Sequence, residues 1–144
     1  MPKATPDYQD AELALRVYDL RRESVMRESR HLVNSQFWPK TFDDVKAVYQ
    51  SGHSLNAAFR QVGTYWEMVY GIVRHGIVSP DYFMESNGEG LFVYARVAPH
   101  LQKLRAELSP SAFRNAEWVS QECAEGRRLF ELFSTRVRKV LGTK

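Results

Sequence analysis

Tyr65-Trp66-Glu67-Met68-Val69-Tyr70-Gly71-Ile72-Val73-Arg74-His75-Gly76-Ile77-Val78-Ser79-Pro80-Asp81 reads as the end of one helix and the beginning of another. Upstream of it, Leu55, Phe59, Val62, Trp66, Val69 and Val73 alternate steps of four and three. That spacing lines one face of a helix and predicts a helix over 55–75, with Ser54 as its cap. Gly76 is the stop. Ser79-Pro80-Asp81 is a start signal: serine suits a cap, proline fits the first turn, and an acid there faces the positive end of the helix dipole.

The same punctuation divides the rest of the chain. Thr5-Pro6-Asp7 opens a helix expected to run unbroken over 8–33, with Leu13, Ala14, Val17, Tyr18, Val25 and Leu32 at helical spacing. Thr41 with Asp44 three residues on resembles a capping box and opens a short helix over 42–50. Asn87-Gly88-Glu89-Gly90 is a break, followed by a helix over 91–108 that Pro99 should kink or split. Ser109-Pro110-Ser111 begins the last helix, expected to reach Val140. In it Ala116, Val119, Cys123, Gly126, Phe130, Phe133, Val137 and Val140 alternate steps of three and four, a heptad seam about 25 residues long. The seam suits packing on the N-terminal helix within one bundle; the alternative is a homodimeric coiled coil. The expected fold is therefore all-α: a single-domain helical bundle of five to seven helices over 1–144, its long N- and C-terminal helices packed together, with 1–6 a flexible lead.

Composition narrows the class without naming a function. With 144 residues, 44% hydrophobic and 26% charged, the chain is long enough for one real core and is not of disordered composition. Aromatic residues make up 12%, so large rings should dominate that core. No run approaches the ~18 consecutive apolar residues of a membrane helix, and the first residues lack the apolar stretch of a signal peptide. The only cysteine, Cys123, cannot make an internal disulfide, which fits a reducing cytoplasm. The net charge of +3 conceals an uneven distribution. Arg127, Arg128, Arg136, Arg138, Lys139 and Lys144 face only Glu131, a local excess of +5 at the C-terminus. Such a patch can meet phosphates, and equally keeps a terminal helix hydrated and complements its dipole. No helix-turn-helix or stacking motif supports nucleic acid as the partner.

Chemistry-bearing motifs are sparse. Glu67 lies four residues from both Gly63 and Gly71, on one helical face. Two interior glycines cost about 1 kcal/mol each against alanine, a cost tolerable where another element packs closely over that face. Glu67 would then be paired with an arginine, Arg74 or one on the first helix, or hydrogen-bonded. The alternative groups Glu67, Arg74 and His75 as a polar ligand pocket. Glu28 and His31 have the E-x-x-H spacing of di-iron bundles, but no second copy or further glutamate pair accompanies them. No metal or cofactor is expected. Cys123 falls on the apolar seam, where cysteine behaves as a small hydrophobe. No phosphate loop, nucleophile elbow or zinc spacing occurs.

Trp66-Glu67, then Gly71-Ile72-Val73-Arg74-His75-Gly76-Ile77-Val78 and Asp81, followed by Arg105 and by Phe113-Arg114-Asn115-Ala116-Glu117-Trp118, resembles a bacterial helical family of unknown function. The likeness spans roughly residues 41–125. It implies an all-α fold and brings no activity, cofactor or catalytic residue. The resemblance implies a membrane segment ahead of the domain in some members, and none is expected here; Arg114-Asn115-Ala116 precedes Glu117 where the pattern has an aromatic residue beside the acid. The functional expectation is a non-enzymatic module for a protein partner or for itself, using Phe37 and Trp38 or Phe130 and Phe133 of the seam. The alternatives are an enzyme or ligand binder at Glu67, Arg74 and His75, or a weak nucleic-acid binder through Arg127, Arg128, Arg136, Arg138 and Lys139.

Overall fold

Starts and stops written in the sequence account for most helix boundaries in the computed structural model, which describes residues 3–143. Among the described residues there are nine α-helices: α1 (Tyr8–Arg21), α2 (Ser24–Gln36), α3 (Phe42–Val48), α4 (Asn56–Arg74), α5 (Pro80–Met84), α6 (Glu89–Val97), α7 (Leu101–Glu107), α8 (Arg114–Glu122) and α9 (Ala124–Leu141). A single 3₁₀ turn, Ala98–His100, joins α6 to α7 where Pro99 interrupts the ladder. The all-α expectation holds. The count exceeds the expected five to seven because both long terminal helices divide.

The N-terminal helix breaks at Arg22-Glu23, where Glu23 accepts from the Met26 N–H at 3.0 Å and starts α2 afresh. The C-terminal helix breaks at Cys123, whose backbone is extended (φ −126°, ψ 146°). Most of the seam survives this break because α8 and α9 turn their apolar faces to the same core: Ala116, Val119, Cys123, Gly126 and Val137 are buried, Phe130 and Phe133 are half-buried, and Val140 at the far end is exposed. Gly126 is required there. A Cβ on it would overlap the Val119 carbonyl, so only glycine lets α9 start against the end of α8.

α4 is the organising helix. It buries Ala58, Phe59, Val62, Tyr65, Trp66, Val69, Tyr70 and Val73 and packs against α2, α8 and α6. α9 lies on α6 and α8, with α5 also against it. The expected pairing of the N- and C-terminal helices is corrected: α2 takes the α4 face, and the α9 seam is spent on α6 and α8 instead. Of the N-terminal lead, Met1 and Pro2 lie outside the described residues. Lys3 pairs with the buried Asp10 at 2.9 Å, and the Ala4 carbonyl accepts from the Ser79 hydroxyl at 3.4 Å.

Several helices are finished by side chains from elsewhere in the chain. Ser79, Phe113 and Cys123, which precede α5, α8 and α9, make no side-chain cap bond. Asp10 accepts from the Ser79 N–H (3.2 Å), Asp81 from the Glu125 N–H (2.9 Å), and Glu67 from the N–H groups that open α8. At α6 the Tyr70 hydroxyl accepts from the Leu91 N–H (3.1 Å) and donates to the Asn87 carbonyl (2.7 Å). Arg96 does the converse at the end of α2. Its guanidinium donates to the Val33 and Phe37 carbonyls (3.0 and 3.1 Å) and the Asn34 side chain (2.8 Å), bringing positive charge to the negative end of that helix. Ser54, expected to cap α4, makes no such bond; the turn into α4 runs through Leu55.

Candidate functional site

Glu67 sits in the middle of α4 facing the start of α8. Its carboxylate accepts from the backbone N–H of Asn115 (3.0 Å) and of Ala116 (2.9 Å), while its own carbonyl accepts from the Asn115 side-chain amide (2.9 Å). Arg74, two turns on along the same face, donates to the Asn115 side-chain oxygen at 3.3 Å. Glu67 is thus hydrogen-bonded, to a helix end rather than to an arginine. Both carboxylate oxygens are thereby engaged by the first N–H groups of α8, where the helix dipole favours an acidic side chain, so the group is committed to that helix end. His75 is exposed at the end of α4 and does not join the pair. The sequence-derived trio therefore does not converge: Glu67 and Arg74 meet only through Asn115.

The two glycines flanking Glu67 have different reasons. At Gly71 a Cβ would come within 3.0 Å of the Asn115 amide nitrogen, which is the close packing the spacing implied. At Gly63 a Cβ would meet nothing within 4 Å. Close helix packing does not explain Gly63; empty space does.

That space is a cleft of about 490 Å³ between the first half of α4 and the loop leading into α8. Tyr49, Phe59 and Phe113 supply aromatic walls, Gly63 and Glu67 lie on the α4 side, and Asn115 stands at the far end. Phe59 is edge-on to Tyr49 (5.3 Å) and tilted against Phe113 (6.4 Å). Burial pushes the Tyr49 phenol up to about 12, so it enters any contact as a neutral hydroxyl. Phe113 holds a left-handed backbone, φ 57° and ψ 26°. That conformation is an outlier for a bulky residue, at about 1–3 kcal/mol. Arg60 and Arg114 are exposed among the lining residues, and neither is in an ion pair among the described residues. Phe113, Arg114 and Tyr49 were missed in the sequence. Ser109-Pro110-Ser111 looked like a cap, and nothing in residue type signals a left-handed phenylalanine.

The residues expected to form an interface are mostly turned inward. Phe37 is buried against Phe59 (5.0 Å) and is unavailable to a partner. Trp38 is half-buried, its indole N–H donating to the Asn34 carbonyl (3.0 Å) and its ring beneath the Arg96 guanidinium (4.2 Å). Phe130 and Phe133 are half-buried against Tyr94 and Phe92 (5.3 and 5.2 Å). Arg127, Arg128, Arg136, Arg138 and Lys139 are all exposed along α9. Arg128 is paired with Glu125, Arg136 lies over Phe92 and Phe133, and Lys144 falls outside the described residues. Glu28 and His31 are exposed, and among the described residues no cluster of three or more His, Cys, Asp or Glu side chains could hold a metal ion.

Fold and site define an all-helical protein with an aromatic-walled, arginine-flanked cleft beside a carboxylate committed to helix capping. The chain belongs to the family described as Domain of unknown function (DUF4760), which matches residues 6–123. That span takes in α1 to α8 and ends where α9 begins. No curated protein and no solved structure matches the chain. No helix among the described residues is long and apolar enough to cross a membrane.

Proposed function

We propose that this protein is a non-enzymatic binding module of the cytoplasm whose α4 cleft receives an aromatic or apolar side chain flanked by acidic groups, presented by a protein partner. One observation carries the reading: two conformational costs converge on one cavity. Gly63 weakens α4 beside open space, and Phe113 is strained at the opposite wall. A helix glycine facing a void allows a ligand to approach the backbone. The volume and the largely apolar walls suit a bulky side chain, and the unpaired Arg60 and Arg114 favour negative charge beside it. Glu67 is spent on α8, so the cleft offers polarity without a free base or activated nucleophile.

Anilinonaphthalene sulfonate, an aromatic body with one anionic group, is a direct probe. Its fluorescence on the full chain should saturate at one equivalent. Gly63→Leu should abolish that saturation while leaving thermal unfolding intact, and Arg60→Glu should weaken it. Acidic aromatic peptides should compete with the dye, and lysine-flanked counterparts should not. Dye binding that is unsaturable, or identical in the wild type and Gly63→Leu, would remove the proposal.

A further inference from the structure

A second cavity, of about 510 Å³, lies on another part of the molecule between the end of α6 with its 3₁₀ turn and the last turns of α9. Its lining includes Lys40, Arg96, His100 and Arg138, together with the apolar Phe130 and Val137, and contains no acidic residue. None of the four basic groups is in an ion pair among the described residues. Elsewhere the protein does pair its cations across elements, as in Arg30–Glu89 at 2.7 Å and Arg105–Glu117 at 3.0 Å.

Arg96 is the residue that makes this more than a basic surface. It is 1% exposed, and its partners are two carbonyls and an amide oxygen rather than a carboxylate. Its Nε is buried with no hydrogen-bond partner at all. A buried cation without a counter-charge is normally costly; the α2 end and the rings of Trp38 and Phe92 (4.2 and 4.4 Å) recover part of that. Burial also pushes the guanidinium down, to about 10, against the opposing pull of Glu89, and it is still charged at neutral pH. The nearest acid that acts on His100 is Asp44, whose carboxylate already accepts from the Lys40 and Thr41 N–H groups at 2.9 and 3.2 Å. Among the described residues no carboxylate lines the cavity.

We infer that this cavity binds a small phosphomonoester, its phosphate met by Lys40, His100 and Arg138 and its body resting on Phe130 and Val137. The space far exceeds what one oxyanion fills, so the phosphate arrives with a body attached. A phosphate dianion suits the two separate cations Lys40 and Arg138 better than a single carboxylate does, with His100, pushed down by burial and by Lys103, adding a neutral N–H donor. This site shares no residue with the α4 cleft and does not depend on that reading.

Calorimetric titration of the full chain at low ionic strength tests it, using phenyl phosphate, inorganic phosphate, benzoate and phenol. Phenyl phosphate should bind at one equivalent, more tightly than inorganic phosphate, with phenol silent. Arg138→Glu should weaken phenyl phosphate by about tenfold or more, the scale of turning one close charge partner from attraction to repulsion. Arg127→Glu, on the same helix outside the cavity, should leave binding unchanged. Thermal unfolding of each variant separates loss of binding from loss of fold, and Lys40→Glu on its exposed loop provides a second, independent variant. Benzoate binding as tightly as phenyl phosphate would overturn the phosphate assignment. Equal losses in Arg127→Glu and Arg138→Glu, or no binding of phenyl phosphate above phenol, would overturn the site.

Discussion

Replacing Glu67 by glutamine keeps the side chain's shape and removes its charge. In the native protein both carboxylate oxygens accept backbone N–H groups, at 3.0 Å from Asn115 and 2.9 Å from Ala116. These donors lie at the start of α8, which has no side-chain cap of its own. Glutamine offers one carbonyl oxygen and one NH₂ group, so one N–H would face another donor. One bond is lost and the other becomes neutral. Bonds to a charged group contribute about 1.5–3 kcal/mol and neutral ones about 1 kcal/mol, so the exchange loses about 3 kcal/mol once the helix-end field is included. For 144 residues the unfolding entropy near the midpoint is about 0.3 kcal/mol/K, which places the fall in melting temperature at about 10 °C. Circular dichroism at the helix band, with wild type and variant scanned side by side, reads this directly. Dye saturation of the folded variant should persist, though weakened. A variant that melts with the wild type yet no longer binds would refute the capping role and make Glu67 a ligand contact.

Three other outcomes follow from the same geometry. Gly63→Ala should raise stability by about 1 kcal/mol, because a Cβ there meets open space in a helix interior, and Gly126→Ala should lower it by several times that amount through overlap with the Val119 carbonyl; urea midpoints that move the same way for both would contradict the packing. Burial holds the phenols of Tyr49 and Tyr94 up at about 12 and that of Tyr70 well above its ordinary value. Their stabilisation is complete below the unfolded phenol value of about 10 and is lost as pH rises toward 12, while Arg96, pushed down to about 10, works in the opposite direction. Urea midpoints should therefore drop above pH ~10, with the phenolate absorbance of these three appearing only on unfolding; all seven tyrosines ionising together in the folded protein would count against it. Cys123 is 6% exposed and its thiol is pushed up by burial, so a disulfide reagent should label it slowly in buffer and rapidly in urea; fast labelling of native protein would place the thiol at the surface.

Punctuation was the legible part of this fold. Thr41 with Asp44, Pro99 and Gly76 each mark a boundary that the structure keeps, because each acts on its own few residues. The break at Cys123 was hidden by its own success: α8 and α9 serve one core, so the apolar rhythm runs through the interruption. The break at Arg22-Glu23 carries neither glycine nor proline, and a glutamate cap resembles any surface glutamate. At the site, the Gly63–Glu67–Gly71 face was readable, but its meaning was only half so. Asn115 explains Gly71, whereas the void at Gly63 is an absence that no residue type announces. The partners of Glu67 are backbone N–H groups, which leave no trace in a sequence.

Helix ends completed from a distance also set how this chain must come together. Asp10 reaches Ser79 across 69 positions, Glu67 reaches Asn115 across 48, and Asp81 reaches Glu125 across 44. Short isolated helices are marginal in water, and here α5, α8 and α9 lack their first-turn partners until remote segments arrive. The first amides of α8, held by the half-buried Glu67, should therefore exchange with solvent deuterium more slowly than the freely fraying ends of ordinary helices, whereas the exposed Glu125 N–H of α9 should not be so protected. The start of α8 is in this sense a product of assembly, and a peptide spanning α8 alone should be unstructured.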